Sequence, residues 1–397
     1  MGAHARRHPG PTDQAWAVPE RERACPLCRL AGSEGGGVSG RDLSDTAELL
    51  RASPAFAALC QVSARLGADP LQVQGPGGNT SLKRDGVMWI KASGTWLADA
   101  TDSDVMVPVD LDSLIQAVAA GEDSAERPVE HAIAAANRRG LRPSIETAVH
   151  AVLSHPVVLH THCVATIAVA LRQDAAEVVA ECLGDLGAVF VPYVQPGLDL
   201  AHAIQQRIGP ETRLIVLGNH GLVAAGADAA DAEALLRTAS ARLDRRPAAG
   251  DAPHPDLEVR LAGSDYVAAD APRLHALARD PDCLEVMAAG SYYPDHVVFL
   301  GPRVACAGSE ETAPTAAARL AETGNAPPPL LIFPGLGAAI RQDASASTRA
   351  LAACLGEVAA RLDPGAPCRA LTTDEEAALM GWEAEAYRRK LDAARDG

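Results

Sequence analysis

Apolar positions along this chain recur with two periods, one helical and one of two residues. From Ser44, the run SDTAELLRASPAFAALCQVSARLG spaces its apolar residues for a helix, with Ser44 as N-cap and a restart at Pro54. Two short strand-like runs then flank glycine-rich turns at Gly75 to Asn79 and at Asp85-Gly86, the second with hairpin chemistry. The run VMVPVD, beginning at Val105, predicts a strand leading into a helix, and Val129 to Arg139 reads as a polar helical stretch. A further helix is expected from Ile145 to Ser154, with Ser144 as N-cap and Glu146 in its first turn, on one face with His150. Pro156 ends that helix and starts the strand VVLHTH. Strand and helix then alternate: a helix from Val164, a strand from Ala188 to Tyr193, a helix from Gly197, the strand RLIVLG, and an alanine-rich helix from Asp228 to Arg245.

Residues 1–42 show almost no periodicity and are rich in Pro, Gly, Arg and Glu, the composition of a disordered tail. A linker composition between Arg245 and Asp256 separates residues 43–248 from a mixed region, 249–397, that contains SYYPDHVVFLGP, LLIFPGLGAAI and a final helix. A hydrophobic content of 48% with 22% charged residues predicts a soluble globular protein, and 397 residues allow more than one domain. The net charge of −16 leaves no basic surface to neutralise phosphates, so no nucleic-acid partner is expected. No apolar run has the length of a membrane span, and the N-terminus lacks the apolar segment of a secretory signal. Nine scattered cysteines predict reduced thiols and a cytoplasmic location; Cys25 and Cys28 have the spacing of half a zinc site or a redox pair, but no matching partner pair follows and they are expected to be inert.

Candidate chemistry gathers between Ser144 and His220. Side chains at i and i+2 of a strand share a face, so His160 and His162 can reach one metal ion. His220, in the turn signal Asn219-His220-Gly221 after an apolar strand, is the best candidate for a third nitrogen. Three imidazoles leave a coordination position open, the pattern of a catalytic zinc. The turn GPGGNTS reads either as a tight turn or as an anion cradle, with the N–H groups of Gly78, Asn79 and Thr80 and the Ser81 hydroxyl aimed at a phosphate; Lys91 to Gly94 supply a second lobe. In LLIFPGLGAAI the third glycine position of a dinucleotide loop holds Ile340, which excludes a Rossmann reading.

Five motifs in order, GGNTS (77–81), IKASG (90–94), SIE (144–146), HTH (160–162) and NHG (219–221), resemble the class II aldolase/adducin family. With SYYPDHVVFLGP, FPGLG and GWEAEAYRRKL, the chain is similar to the aldolase module of bifunctional rhamnulose-1-phosphate aldolase/short-chain dehydrogenase proteins, and the dehydrogenase half is expected to be missing. The resemblance implies an α/β/α sandwich around a largely antiparallel sheet, with 249–397 as a smaller extension. It implies Zn2+ or another divalent ion on His160, His162 and His220, and Glu146 as general acid/base. Gly78, Asn79, Ser93, Gly94 and Ser144 would grip the phosphate of a sugar-phosphate donor, and the assembly would be a homotetramer. The implied reaction is reversible cleavage of a ketose 1-phosphate into dihydroxyacetone phosphate and a small aldehyde, through an enediolate. Sugar-phosphate 4-epimerase, decarboxylase and dehydratase chemistry, or a non-catalytic adducin-like binding module, are the alternatives. Two departures stand out: Ile145 replaces a hydroxyl residue of the phosphate grip, and none of Tyr292, Tyr293 and Tyr387 aligns with the family's proton-donating tyrosine.

Overall fold

In the first hairpin, β1 (Asn79–Arg84) turns into β2 (Val87–Lys91) through Asp85 and Gly86, at φ of 51° and 76°. This is the left-handed pair that an Asp-Gly turn supplies, as the sequence predicts. With β3 (Met106–Asp110), β4 (Val157–Thr161), β5 (Val189–Val191), β6 (Leu214–Leu217) and β7 (Gly221–Gly226), the hairpin forms a seven-stranded sheet in the order β3-β2-β1-β4-β7-β6-β5. Every neighbouring pair is antiparallel except β5 with β6. The computed structural model describes residues 42–245, 247, 249–321, 327–363 and 365–381. The expected tail, apart from Asp42, lies outside the described residues with Cys25 and Cys28, as do Tyr387 and the end of the expected final helix.

The period-two pattern separates two apolar layers. Leu82, Trp89, Leu159, Val216 and Leu222 face the helices Pro54–Gly67 and Ala229–Leu243. Ile90, Val109, Val158, Ile215 and Val223 face Leu111–Ala120, Thr147–Ala151 and Leu198–Gln205. The result is the expected helix–sheet–helix sandwich around a largely antiparallel sheet.

Three local expectations are corrected. The first helix, Leu43–Arg51, is capped by Asp42, whose side chain accepts from the Ser44 N–H at 3.0 Å, so Ser44 is already helical. Residues 129–139 do not form an α-helix. A 3-10 turn, Pro128–His131, is followed by a bridge of Ala132 to Val109 and an Ile133 N–H bond to the Pro108 carbonyl. Ile133 and Ala136 pack into the core without a helix, because the free edge of β3 offers the backbone of this stretch a partner instead. The helix expected over 145–154 is only Thr147–Ala151. Lys83 reaches from β1 to the carbonyls of His150 and Leu153 and satisfies the end of that short helix.

The described residues from Asp42 onward belong to one compact unit. Its second sheet is built from β8 (Tyr266–Ala268), β9 (Ala305–Cys306), β10 (Leu330–Phe333) and β11 (Gly337–Arg341), in the order β8-β11-β10-β9. The FPGLG segment closes an antiparallel β10–β11 hairpin, in keeping with the rejected dinucleotide loop. Helix Val164–Ala170 belongs to both cores: Ala165, Val169 and Ala170 pack into the first, Val164, Ile167 and Ala168 into the second. Apart from Thr166 its sequence is apolar throughout, as a helix without a water-facing side requires. Among the described residues no helix is long and apolar enough to cross a membrane.

Burial holds His296 down to about 3, and His150 well below the ordinary imidazole value of 6.5. Below pH 6.5 the unfolded chain therefore takes up protons that the folded chain does not. Stability is full above that pH and is lost as pH falls toward 3, by about 1.4 kcal/mol per pH unit for each such imidazole. In urea titrations of chelator-treated protein between pH 6.5 and 4.5, His296→Gln should flatten this dependence by one proton; an unchanged slope would contradict the assignment.

Candidate active site

β4 runs between β1 and β7, with His160 opposite both Asn79 and Val223. His162 follows the end of the strand, and His220 sits in the β6–β7 turn, after Asn219 at a left-handed φ of 53°. The three rings stand 4.9–5.2 Å apart between centroids, and one nitrogen from each lies within 4.8 Å of the others. The Nδ1–H of His160 donates to the Leu222 carbonyl at 3.1 Å, and that of His162 to Asp295 Oδ2 at 2.7 Å. Both rings therefore present an Nε2 lone pair, and neither Nε2 has a hydrogen-bond partner among the described residues. Burial keeps His160 below its ordinary value and takes His220 down to about 3, so both are neutral ligands at neutral pH. Buried, converging lone pairs without proton donors fit a divalent cation.

Glu146 stands just ahead of helix Thr147–Ala151 rather than in its first turn, because Ser144 organises a turn there instead of capping a longer helix. The Ser144 Oγ accepts from the Glu146 N–H at 3.2 Å, and its carbonyl accepts from Thr147 N–H at 3.1 Å. The Glu146 carboxylate thereby faces the triad, with Oε2 3.4 Å from His160 Nε2 and Oε1 3.4 Å from His220 Nε2. Burial raises its pKa; the Asn79 hydrogen bond and any proton on the facing imidazoles lower it, and the net direction is below the ordinary carboxylate value.

Asn79 donates from Nδ2 to Glu146 Oε2 at 2.8 Å and to Ser144 Oγ at 3.2 Å. Its Oδ1 accepts from His150 Nε2, and His150 Nδ1 in turn accepts from the Ser81 hydroxyl at 2.7 Å. The shared face of Glu146 and His150 is thus bridged by Asn79, a relay that helical spacing alone does not reveal. It also turns the Ser81 hydroxyl away from the cradle proposed for it, while the Thr80 hydroxyl meets Ser63 at 2.7 Å.

Gly78, Asn79, Ser93, Gly94, Ser144, Glu146, His162 and His220 line one cleft, joined by Ile145, Lys91 and Asp295. Gly78 has φ 60°, and a Cβ there would lie 2.8 Å from the His160 carbonyl, so only glycine serves. Lys91 Nζ donates to the carbonyls of Pro76 at 2.7 Å and Gly78 at 3.0 Å, fixing the turn from beneath. Lys91, expected in the second lobe of the anion cradle, lines the cleft as a support for the first. Asp295 was not among the predicted site residues, and nothing local in the sequence ties it to His162. Tyr292 and Tyr293 do not line the cleft: their hydroxyls bond the Val286 carbonyl and, at 3.7 Å, Cys354 Sγ.

Residues 57–241 match the family model described as the class II aldolase and adducin N-terminal domain. The match assigns these residues, rather than the whole chain, to the class II aldolase/adducin family. The chain is 30% identical over 174 residues to an uncharacterized oxidoreductase, YuxG, of Bacillus subtilis (strain 168), covering 41% of this chain and 25% of that protein. The chain thus spans about a quarter of the length of this curated relative. Among solved structures, it is similar to the N-terminal class II aldolase domain of a conserved protein from Thermoplasma acidophilum, at 26% identity, 48% and 92% coverage of the two chains, and a TM-score of 0.43. It is also similar to L-fuculose-1-phosphate aldolase from Thermus thermophilus, at 20% identity, 48% and 90% coverage, and a TM-score of 0.33.

A cation bound only by the folded aldolase/adducin domain stabilises it by about 2.7 kcal/mol at a hundredfold excess over Kd. Zinc should accordingly raise the melting temperature of the chelator-treated protein, and His160→Ala should abolish the rise; calorimetry with and without zinc checks both.

Proposed function

We propose that the protein is a metal-dependent aldehyde-lyase that reversibly cleaves a ketose 1-phosphate into dihydroxyacetone phosphate and a small aldehyde. The observation that carries this reading is a buried carboxylate whose Oε1 has no hydrogen-bond partner among the described residues, set against three imidazoles beside a glycine-rich cleft. His160, His162 and His220 would hold Zn2+ or a similar ion, which would supply Lewis-acid polarisation of the donor's ketone and adjacent hydroxyl.

The chain's own residues account for the proton transfer. Asn79 holds Oε2 of Glu146, so the proton taken from the donor carbon goes to Oε1 and returns from it in the reverse direction. His150, with its Nε2–H committed to Asn79, keeps the amide oriented so that Nδ2 faces Glu146. Gly78, Asn79, Ser93, Gly94 and Ser144 would receive the phosphate, with Lys91 beneath the same turn adding positive charge. Ile145 gives this arm an apolar wall in place of one hydroxyl contact. This reading includes the cytoplasmic homotetramer that the resemblance implies, which light scattering on the purified protein tests.

Metal-loaded protein should exchange deuterium from solvent into dihydroxyacetone phosphate, and chelator-treated protein should not, as followed by proton NMR. Glu146→Gln should lower the rate by about 10²–10⁴-fold, the usual contribution of a positioned acid/base group. Full exchange by that variant would sink the role of Glu146.

A further inference from the structure

The C-terminal region reaches the imidazole triad at two points. Asp295, in the first turn of helix Pro294–Leu300, is 2% exposed and accepts the His162 Nδ1–H at 2.7 Å. Asn219, the neighbour of His220, donates from Nδ2 to the carbonyls of Tyr292 at 2.9 Å and Arg369 at 2.7 Å. One imidazole, His162, and the residue that precedes another, Asn219, are therefore held from outside the segment that matches the family model. The loop at Gly77 closes over the first of these contacts. A Cβ at that position would lie 2.8 Å from His162 Nδ1 and 3.0 Å from Asp295 Oδ2, so the loop can pass only as glycine.

We propose that Asp295 is a positioning residue of the metal centre, fixing the tautomer and ring orientation through which His162 presents Nε2. This rests on the metal reading of the triad. A neutral imidazole carries one proton, and an acceptor that captures it at Nδ1 commits the lone pair to Nε2. A carboxylate acceptor also makes the opposite nitrogen a stronger ligand than a carbonyl acceptor does. His160 has only the Leu222 carbonyl in this role, and His220 Nδ1 has no hydrogen-bond partner among the described residues. The triad therefore has one anionically supported ligand, and the support comes from the C-terminal region.

The test uses the full chain and two readouts. In metal-free protein, nitrogen-15 NMR of the histidines should find His162 as the Nδ1–H tautomer, and Asp295→Ala should shift it toward a mixture. In competition with a chelator, Asp295→Ala should weaken zinc binding about 10–100-fold. Asp295→Asn, which keeps an acceptor oxygen but no charge, should recover the tautomer and only part of the affinity. Gly77→Ala, which inserts a methyl between the two groups, should reproduce the loss if Asp295→Ala folds poorly. A residue with only a structural role would lower the unfolding midpoint without moving the tautomer. An Nε2–H tautomer in the unsubstituted protein, or zinc affinity indifferent to Asp295, overturns this proposal alone. Absence of zinc binding in the unsubstituted protein as well as in His160→Ala overturns the metal reading and this proposal with it.

Discussion

Three imidazoles and a carboxylate are kept dry at one end of the central sheet, and the surroundings are arranged to make that tolerable. A buried polar atom without a partner costs on the order of 1–3 kcal/mol, and a buried charge far more. Most atoms of the cluster are accordingly answered: His160 by a strand carbonyl, His162 by Asp295, Glu146 by Asn79, and Asn79 by His150, which ends on Ser81. The atoms left over are His160 Nε2, His162 Nε2, Glu146 Oε1 and His220 Nδ1. They belong to the three imidazoles and to the carboxylate that faces them, so the unsatisfied capacity of the site is concentrated where a cation and a reacting group would sit.

The sheet makes this concentration possible. β4 is flanked on both sides, so its backbone is fully paired and its side chains are free to serve the site. Its register sets Asn79 directly against His160, and the turn after β6 brings His220 over the same end. The short helix after Glu146 is terminated by Lys83 rather than by its own sequence, which leaves the carboxylate on a turn whose geometry Ser144 dictates.

The parts of this arrangement governed by local rules were legible in the sequence. Period two placed His160 and His162 together, Asp85-Gly86 marked its hairpin, and Asn219-His220-Gly221 marked the turn that carries the third imidazole. The antiparallel character of the sheet was not readable from periodicity and came from the order of five motifs. What escaped was long-range or backbone-specific. Asp295 and His162 are 133 residues apart and meet only because two cores pack together. His150 was visible as a neighbour of Glu146, but the bridging amide comes from another strand. The stretch 129–139 had polar residues at helical spacing, and an unpaired strand edge decided otherwise.

Helix Val164–Ala170, which follows the imidazole pair by two residues, has every residue buried and divides them between the two cores. Six of its seven positions answer to one core or the other, and the histidines lie at the end of that shared segment. Repacking either core displaces the helix that the other core packs against, so strain introduced in one half is passed to the other and to the histidines beside it.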